Sequence, residues 1–410
     1  AAVAAALAYE KPVMAQGLEE VIVTARRREE SLQQVPVAIT ALGSADIEAR
    51  NIDNPEQMNV LIPNIDIRGG GVSLGDANFT IRGIPGVARY MDGVVLNGDL
   101  GGLESILELE RVEVLRGPQG TYFGKNAIGG AIQYVSQKPL DEFVARVQMR
   151  IGEYNRQDVI ANVDIPLSET IKTKITAAQL TRDGYVDSIN VAESYGEQDD
   201  QLIRAALQWT PTDNFEALFT LQSSRRDANL QANVLFDAVD DAGFGRNLPG
   251  TYQQIGLPFT DENYAFGMRE EYKSGAIYQG PGEILDSDQL IMDLSWDITD
   301  NLTLRSITNK RELLRGSMTD TDGTEWAAFD WWYADEQEDQ SQEFQLLGTH
   351  DRFNWVVGYF SNEEDRTSMV RFWQGVELEG FCGGNPVALP PFLCPNPVSY
   401  THLTLPTSSV

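Results

Sequence analysis

From about residue 143 onwards, apolar and polar residues alternate along the chain with a period of two. This alternation predicts β-strands that carry one apolar face and one polar face. Some segments follow it strictly and others more weakly, and together they give nine candidate strands. These strands lie at 143–151, 159–165, 173–182, 203–209, 215–222, 290–296, 302–314, 341–348 and 354–361.

The connections between these strands alternate in length. Short turns are predicted at 166–170, 211–214, 299–301 and 349–352. Longer polar connections lie between them at 152–157, 184–200, 225–288 and 315–339, the first being the least extended. A β-barrel in an outer membrane has short turns on one side and long loops on the other. A soluble β-sandwich remains the alternative, but it has no reason to segregate its loops by length.

Residues 17–140 have a different texture, with many glycines and short apolar runs. The segment 44–59 has helical character, in which Ser44 is predicted to cap the N-terminus. Ile47 and Met58 are predicted to face a core. This part of the chain is therefore expected to form a small mixed α/β domain.

Composition narrows the possible partners. The chain has 410 residues and a formal net charge of −30, which argues against a nucleic-acid partner because phosphate repels it. The two histidines, His350 and His402, are too few for a histidine-built metal site, so no metal or cofactor is predicted. The chain has no run of about twenty apolar residues, so no transmembrane helix is predicted.

Two enzyme-like motifs are present but lack their context. Residues 71–75 match G-x-S-x-G, which needs a preceding strand, a following helix and a histidine base. Here another strand follows, so a glycine-rich loop is the preferred interpretation. Residues 124–126 do not have the glycine spacing of a phosphate-binding loop. An enzyme is not expected.

Both ends of the chain carry processing or covalent signals. Residues 1–15 are interpreted as the remnant of a signal peptide cleaved after Ala15, with a frayed segment as the alternative. Cys382 and Cys394 lie close together and are expected to form a disulfide in an oxidising compartment, although two free thiols remain open.

Three stretches carry a resemblance to a known family. The heptapeptide EEVIVTA at residues 19–25 resembles a TonB box, a short segment that can pair with a strand of another protein, although the first strand of the adjoining domain is the alternative. FTIRGI at 79–84 and YMDGV at 90–94 resemble the middle of a receptor plug. ERVEVLRGPQGTYFG at 110–124, followed by AIGGAI at 127–132, resembles the plug signature. The chain thus resembles TonB-dependent outer-membrane receptors over about residues 18–364.

The resemblance implies a fold class: a mixed α/β plug domain followed by an antiparallel transmembrane β-barrel. Such transporters have twenty-two strands around a plugged lumen, so nine predicted strands give an incomplete barrel and a C-terminally truncated fragment. The implied domains are the TonB-box segment 16–29, the plug 30–140 and the partial barrel 141–398. The segment 399–410 reads as a non-native tail.

The resemblance also assigns residues to roles. Two plug arginines, Arg82 and Arg116, occupy positions that pair with glutamates of the barrel wall, with Glu110 and Glu113 of the plug as alternative partners. The glycines of the signature permit tight turns and close backbone approach. The signature positions are Gly83, Asp92, Gly93, Gly117, Pro118, Gly124, Gly129 and Gly130. The TonB-binding residues are Glu20, Val21, Ile22, Val23, Thr24 and Ala25.

The segment 320–339 is acidic and aromatic, with eight carboxylates and no basic residue. It is expected to be either a ligand-capture or cation-bridging loop, or a solvated loop above an aromatic girdle. The preferred interpretation is the solvated loop.

The implied function is energised uptake of a scarce ligand across the outer membrane of a Gram-negative cell, with the N-terminus in the periplasm. A ferric siderophore or another metal chelate is the expected ligand; vitamin B12, haem and oligosaccharides are alternatives. The expected partners are TonB and outer-membrane lipid, and the receptor is expected to act as a monomer. A passive porin or surface adhesin is the alternative from another class.

Overall fold

A computed structural model gives the fold of the protein. The described residues are 22–23, 30–31, 33, 35, 37–50, 52, 55–70, 73–96, 107–123, 127–188, 194–228, 273–274, 282–320, 329–350 and 352–374. Cys382, Cys394, the signal-peptide segment 1–15 and the segment 399–410 lie outside them.

The plug domain is built around a five-stranded sheet in the order β3-β8-β9-β6-β7, in which only β6 and β9 are parallel. A separate hairpin, β4 with β5, and a short N-terminal pair, β1 with β2, complete its strands. The bounds are β1 Ile22–Val23, β2 Glu30–Ser31, β3 Ile39–Gly43, β4 Ile65–Gly70, β5 Ser73–Ile81, β6 Val87–Met91, β7 Val94–Val95, β8 Leu109–Arg116 and β9 Gly130–Ser136.

Three short helical elements accompany these strands: α1 (Ser44–Ala49), a 3-10 turn (Pro55–Val60) and α2 (Gly120–Phe123). The expected capping by Ser44 is wrong, because Gly43 is the N-cap and no side chain caps the helix. A glycine at this position costs only a few tenths of a kcal/mol relative to the preferred caps. None of the described helices is long and apolar enough to cross a membrane.

Two apolar clusters enclose the plug sheet. On one face, Ile47 and Met58 pack with Val114 and Ile132 of the sheet, as the sequence predicted for the two helical residues. On the other face, Leu115 and Ala131 pack with residues near the N-terminus. The mixed α/β domain expected for this part of the chain is therefore confirmed. Within the G-x-S-x-G motif, Ser73 is the first residue of β5, so the serine is followed by a strand and not by a helix.

The second half of the chain forms one nine-stranded antiparallel sheet, called the wall below. Neighbours in the chain are neighbours in the sheet, and all nine predicted strands are confirmed. Among the described residues, the two outermost strands do not pair with each other, so the sheet is open. The strands are β10 Val144–Gly152, β11 Arg156–Pro166, β12 Ile171–Arg182, β15 Gln198–Thr212, β16 Phe215–Ala228, β18 Glu283–Thr299, β19 Leu302–Asp320, β20 Phe329–His350 and β21 Phe353–Gln374.

A small three-stranded sheet lies between wall strands in the chain. Its strand β13 (Val186–Ser188) pairs with β14 (Ser194–Tyr195) in the antiparallel sense and with β17 (Lys273–Ser274) in the parallel sense. This sheet places the connection between β12 and β15 beside part of the long connection between β16 and β18.

The two faces of the wall differ as the period of two requires. On β15, Leu202 and Arg204 point towards the plug and are 2% and 7% exposed, whereas Ile203 between them is 62% exposed. On β12, Lys174 and Thr176 are buried, whereas Ile175 is exposed. The outward face is apolar and the inward face is mainly polar, which is the arrangement of a sheet that meets lipid on one side.

The wall strands differ in length. β10 has 9 residues, whereas β20 and β21 have 22 each, about twice the number that crosses the hydrocarbon of a bilayer. The long connection predicted at 315–339 is wrong for most of its length, because β19 continues to Asp320 and β20 begins at Phe329. Residues 335–340 of β20 are polar at consecutive positions of the sequence, and Trp331 and Trp332 are adjacent, so this part of the strand lacks the alternation from which the other strands were predicted.

The same correction applies to the acidic aromatic loop expected at 320–339. Residues 329–339 belong to β20 and pair with both β19 and β21. The segment 321–328 is all that lies between the two strands, and it is outside the described residues.

Candidate functional site: the plug and its contacts with the wall

Two signature turns of the plug have the same backbone geometry. Asp92 and Gly93 have φ angles of 49° and 85°, and they connect β6 to β7 as a two-residue hairpin. Arg82 and Gly83 have φ angles of 54° and 76° between Ile81 and Ile84, which form a bridge. Positive φ at both central residues defines a type I′ turn, for which Asp-Gly is a preferred pair. The signature therefore encodes backbone shape at these positions.

The paired glycines near the start of β9 lie against neighbouring backbone. A Cβ atom on Gly130 would lie 2.3 Å from the carbonyl oxygen of Leu115, and one on Gly129 would lie 2.5 Å from that of Ile84. Gly117 has a φ of 92°, and its N–H donates to the carbonyl of Gly129 at 3.0 Å. A larger residue at 130 would push β9 away from β8, and one at 129 would clash with the backbone at Ile84 and Pro85. Among the other signature positions, Pro118 is exposed, and Gly124 lies outside the described residues.

The two plug arginines, Arg82 and Arg116, form hydrogen bonds with other residues of the plug. Arg116 donates from Nη2 to Oγ1 of Thr40 on the neighbouring strand at 2.5 Å. Arg82 is exposed, and its backbone N–H donates to the carbonyl of Asn64 at 2.7 Å. Neither arginine forms an ion pair with another residue in the described ranges. The wall contacts predicted for them stay predictions.

The plug carboxylates named as alternative partners pair with a different arginine. Arg111 is 8% exposed and donates from Nε to Glu113 at 2.7 Å, and its Nη1 also contacts Glu110. Glu113 is fully buried, so its charge is compensated within the same strand. This pairing belongs to the plug itself.

The opposite face of the plug sheet holds a second buried polar group. Burial raises the pKa of the Tyr134 hydroxyl well above its usual range, against a smaller opposing effect of Arg89. The guanidinium of Arg89 lies 4.9 Å from the centre of the Phe79 ring, in a cation–π contact. Tyr134 is therefore neutral throughout the physiological pH range.

Plug and wall are joined by ion pairs that the sequence reasoning missed. The carboxylate of Asp92 in the β6–β7 turn lies 2.7 Å from Nη2 of Arg204 on β15. The same carboxylate accepts hydrogen bonds from the N–H and the hydroxyl of Ser136, both at 2.8 Å. One side chain thus connects the turn, the end of β9 and the wall.

A second ion pair lies on the neighbouring wall strand. Nζ of Lys174 on β12 lies 2.9 Å from Glu108 of the plug and donates to Gln137 at 2.9 Å. Glu108 has a φ of 60°, a backbone region that is uncommon for residues other than glycine. A third and more exposed pair joins Lys138 to Glu216 at 2.7 Å. In the two buried pairs the plug supplies the carboxylate and the wall the cation, the reverse of the expected polarity.

Apolar contacts accompany these ion pairs. Leu107, next to Glu108, packs against Ala178, Leu180 and Leu202 of the wall. Val94 on β7 packs against Ile291 and Ile307. The sequence signal for the two wall cations is their position in the alternation. Lys174 and Arg204 stand at polar, inward-facing positions of alternating strands.

Further from these contacts, the inward face of the wall carries paired arginines and aspartates. Arg226 contacts Asp200 at 2.5 Å and Arg311 contacts Asp339 at 2.5 Å. Within the described residues, no group of three or more His, Cys, Asp or Glu side chains is arranged to hold a metal ion.

The TonB-box segment is described at two residues. Ile22 and Val23 pair with Ser31 and Glu30 in β1–β2, and Val23 is fully buried in the cluster that contains Leu115 and Phe123. Glu20, Val21, Thr24 and Ala25 lie outside the described residues.

The fold and the plug define the class of this protein, which is that of TonB-dependent outer-membrane receptors, and its location is the outer membrane. Residues 31–131 match the family described as TonB-dependent Receptor Plug Domain.

Individual relatives agree with this class. The chain is 25% identical over 197 residues to the iron-regulated outer membrane virulence protein of Vibrio cholerae, covering 44% of this chain and 30% of that protein. It is 31% identical over 124 residues to a vitamin B12 transporter of Vibrio vulnificus, covering 29% of this chain and 20% of that protein.

The fold is also that of a solved structure, the ferric yersiniabactin uptake receptor of Yersinia pestis. The TM-score is 0.67 at 16% identity, covering 83% of this chain and 50% of that one. The chain therefore spans half or less of the length of each of these three proteins. The relatives are receptors and transporters.

Proposed function

We propose that this chain acts in energised uptake of a scarce ligand, a ferric siderophore or a similar metal chelate, and is not an enzyme. The observation that carries the proposal is the plug held against the inward face of the wall by two buried ion pairs. A passive pore has no use for a domain that fills its lumen. A surface adhesin needs neither a plug nor a TonB box.

The choice of ligand class rests on the relatives. One is iron-regulated and another takes up ferric yersiniabactin, which supports a ferric chelate. Vitamin B12 is the second candidate, because the relative with that function is 31% identical over its aligned part. The receptor is proposed to act as a monomer, with no nucleotide and no bound metal of its own.

Uptake assays separate these candidates. Cells that produce the protein, and matched cells that do not, are given radioiron-labelled ferric yersiniabactin or labelled vitamin B12, with and without TonB. TonB-dependent uptake of the iron complex is expected. Uptake of B12 alone would select the second candidate. Uptake that persists without TonB would contradict energised transport and favour a passive pore.

We further propose that residues 20–25 bind TonB by strand addition. Ile22 and Val23 already have strand geometry, so a partner strand can pair with their backbone through the remaining edge or by displacing β2. Binding through the backbone tolerates many side chains but requires the N–H groups.

A proline at Val21 or at Val23 tests this partner, because proline removes the backbone donor. Uptake should be abolished while binding of ligand at the cell surface persists. Val23 is also buried, so Val23→Ala is the matched control, since it removes packing but keeps the N–H. Equal uptake by Val23→Pro and Val23→Ala would show that this segment is not the coupling site.

A further inference from the structure

The buried ion pairs between plug and wall lie close together. Lys174 and Thr176 on β12 pair with Ala206 and Arg204 on β15, so the two cations lie two rungs apart, at successive inward-facing positions of neighbouring strands. Both face inward, and their side chains are 7% and 8% exposed. Leu107 packs on the same two strands through Ala178, Leu180 and Leu202. Salt bridges and apolar packing therefore form one patch, called the joint below.

The plug side of the joint is held in an unusual conformation. Asp92 and Glu108 both have positive φ, which non-glycine residues adopt rarely and at some cost in energy. Such conformations persist where the surroundings over-determine them. Asp92 is held by Ser136 through two hydrogen bonds, and Gln137 of the adjacent position shares Lys174 with Glu108. The Asp92 carboxylate is thus fixed in direction by the plug itself, and the backbone of Glu108 is held by the N–H of Gln137 at 2.9 Å.

The two plug residues of the joint lie at different places in the plug sheet: Glu108 directly precedes β8, the neighbour of β3, whereas Asp92 lies at the edge opposite to β3. In the order β3-β8-β9-β6-β7, the turn that carries Asp92 is at one edge and β3 is at the other. β3 is the first strand of this sheet after the proposed TonB-binding segment. A pull on the N-terminus therefore reaches β3 first and the Asp92 turn last.

We propose that Asp92 and Glu108, bound to Arg204 and Lys174, form a permanent joint that keeps the β6–β7 turn and the start of β8 on β12 and β15 throughout transport. The four residues are positioning residues, since none of them is assigned a contact with ligand. Permanence during transport rests on the proposed uptake function. The joint itself does not depend on that function.

The first experiment tests the joint without any ligand. The rate at which protease cleaves the plug is measured in outer-membrane preparations of Asp92→Asn, Arg204→Glu, Asp92→Arg and the exchange Asp92→Arg with Arg204→Glu. Asp92→Asn keeps an acceptor oxygen for the N–H of Ser136, and its amide N–H can donate to the Ser136 hydroxyl; asparagine also tolerates positive φ, but the charge is lost. Because a buried cation is then left unpaired, cleavage should rise on the order of tenfold or more.

The charge exchange is expected to return cleavage to within a few fold of the unmodified protein, which simple misfolding of the plug would not do. Arg225→Gln is the matched control, because Arg225 forms an exposed ion pair with Asp286 on the outward face. Wild-type cleavage of Asp92→Asn, or no recovery in the exchanged protein, would overturn the joint.

The second experiment tests permanence. Asp92→Cys and Arg204→Cys are combined and linked by a thiol-specific reagent with the reach of an arginine side chain. Ferric yersiniabactin and vitamin B12 are the probes, compared before and after linkage. Uptake within about twofold of the unlinked protein is expected, whereas a block that is relieved by cleaving the linker would overturn permanence. If the unmodified protein takes up neither probe, the proposed function fails, and the protease experiment alone decides whether the joint exists.

Discussion

In the plug, the most buried side chains are aliphatic, whereas on the inward face of the wall most are polar. Ile62, Val114 and Ile132 of the plug are at most 1% exposed, and Thr176 and Gln345 of the wall are both 2% exposed. The outward face of the wall shows the reverse, with Ile151 86% exposed to what is lipid in the membrane. The plug is an ordinary globular core, and the wall is a sheet whose apolar side faces outward.

The difference follows from what covers the apolar side chains in each region, which is protein in the plug and lipid on the wall. The plug excludes water by packing its sheet against helices and a hairpin, so its stability depends on volume and shape. Within the described residues, the outer face of the wall packs against no other part of the protein, because lipid covers it, so its stability there depends on polarity and not on shape. Changes in volume should therefore damage the plug most, and changes in polarity should damage the outward face of the wall most.

The largest effect is expected at Gly130. In Gly130→Ala the new Cβ meets the Leu115 carbonyl at 2.3 Å, and the φ of 156° is unfavourable for alanine. The free energy of unfolding of the plug should fall by about 3 kcal/mol or more, by overpacking and backbone strain together. Urea titration of the detergent-solubilised protein, followed by protease resistance of the plug, measures it.

Gly120→Ala is the matched control for that change, because nothing lies within 4 Å of its added Cβ and the residue begins α2. The control should be neutral or slightly stabilising, since alanine is the better helix former. Equal losses in the two variants would remove shape as the factor that distinguishes the plug.

A smaller loss is expected on the outward face of the wall. Ile175 is 46% exposed in the middle of β12, and an arginine there must enter hydrocarbon. Ile175→Arg should make folding into lipid vesicles less favourable by about 2–4 kcal/mol. Gln179→Arg, four residues further along the same face and beside the Asp199 carboxylate, should cost less than Ile175→Arg. Equal costs would mean that this face does not meet lipid.

The smallest effect concerns a single hydrogen bond of the plug. The hydroxyl of Tyr90 donates to the carbonyl of Phe123 at 2.6 Å in a buried position. Tyr90→Phe should destabilise the plug by about 1 kcal/mol in the same urea titration. Tyr154→Phe on the exposed β10–β11 turn should change stability by less than about 0.5 kcal/mol. A loss at Tyr154 as large as that at Tyr90 would show that the titration does not report on the plug.

The strands were predictable where their two faces meet different surroundings. Alternation located all nine wall strands, because one side chain in two must suit lipid. It failed where β19 and β20 pair at their far ends, because residues 335–340 of β20 are polar at consecutive positions and were interpreted as part of a loop. The capping interpretation failed at Ser44 for a different reason, since a neighbouring glycine could take the same position at little cost.

By itself, the sequence determined the division into plug and wall, the order of the strands and the tight turns of the plug. These depend on local rules: the period of side chains, and residues such as Asp92 and Gly93 that favour positive φ. The tertiary structure alone decided which charges meet. Arg204 is 112 positions from Asp92, and Lys174 contacts Glu108 across 66 positions of the chain. Such pairs depend on how the plug is oriented against the wall, and no local pattern of residues records that orientation.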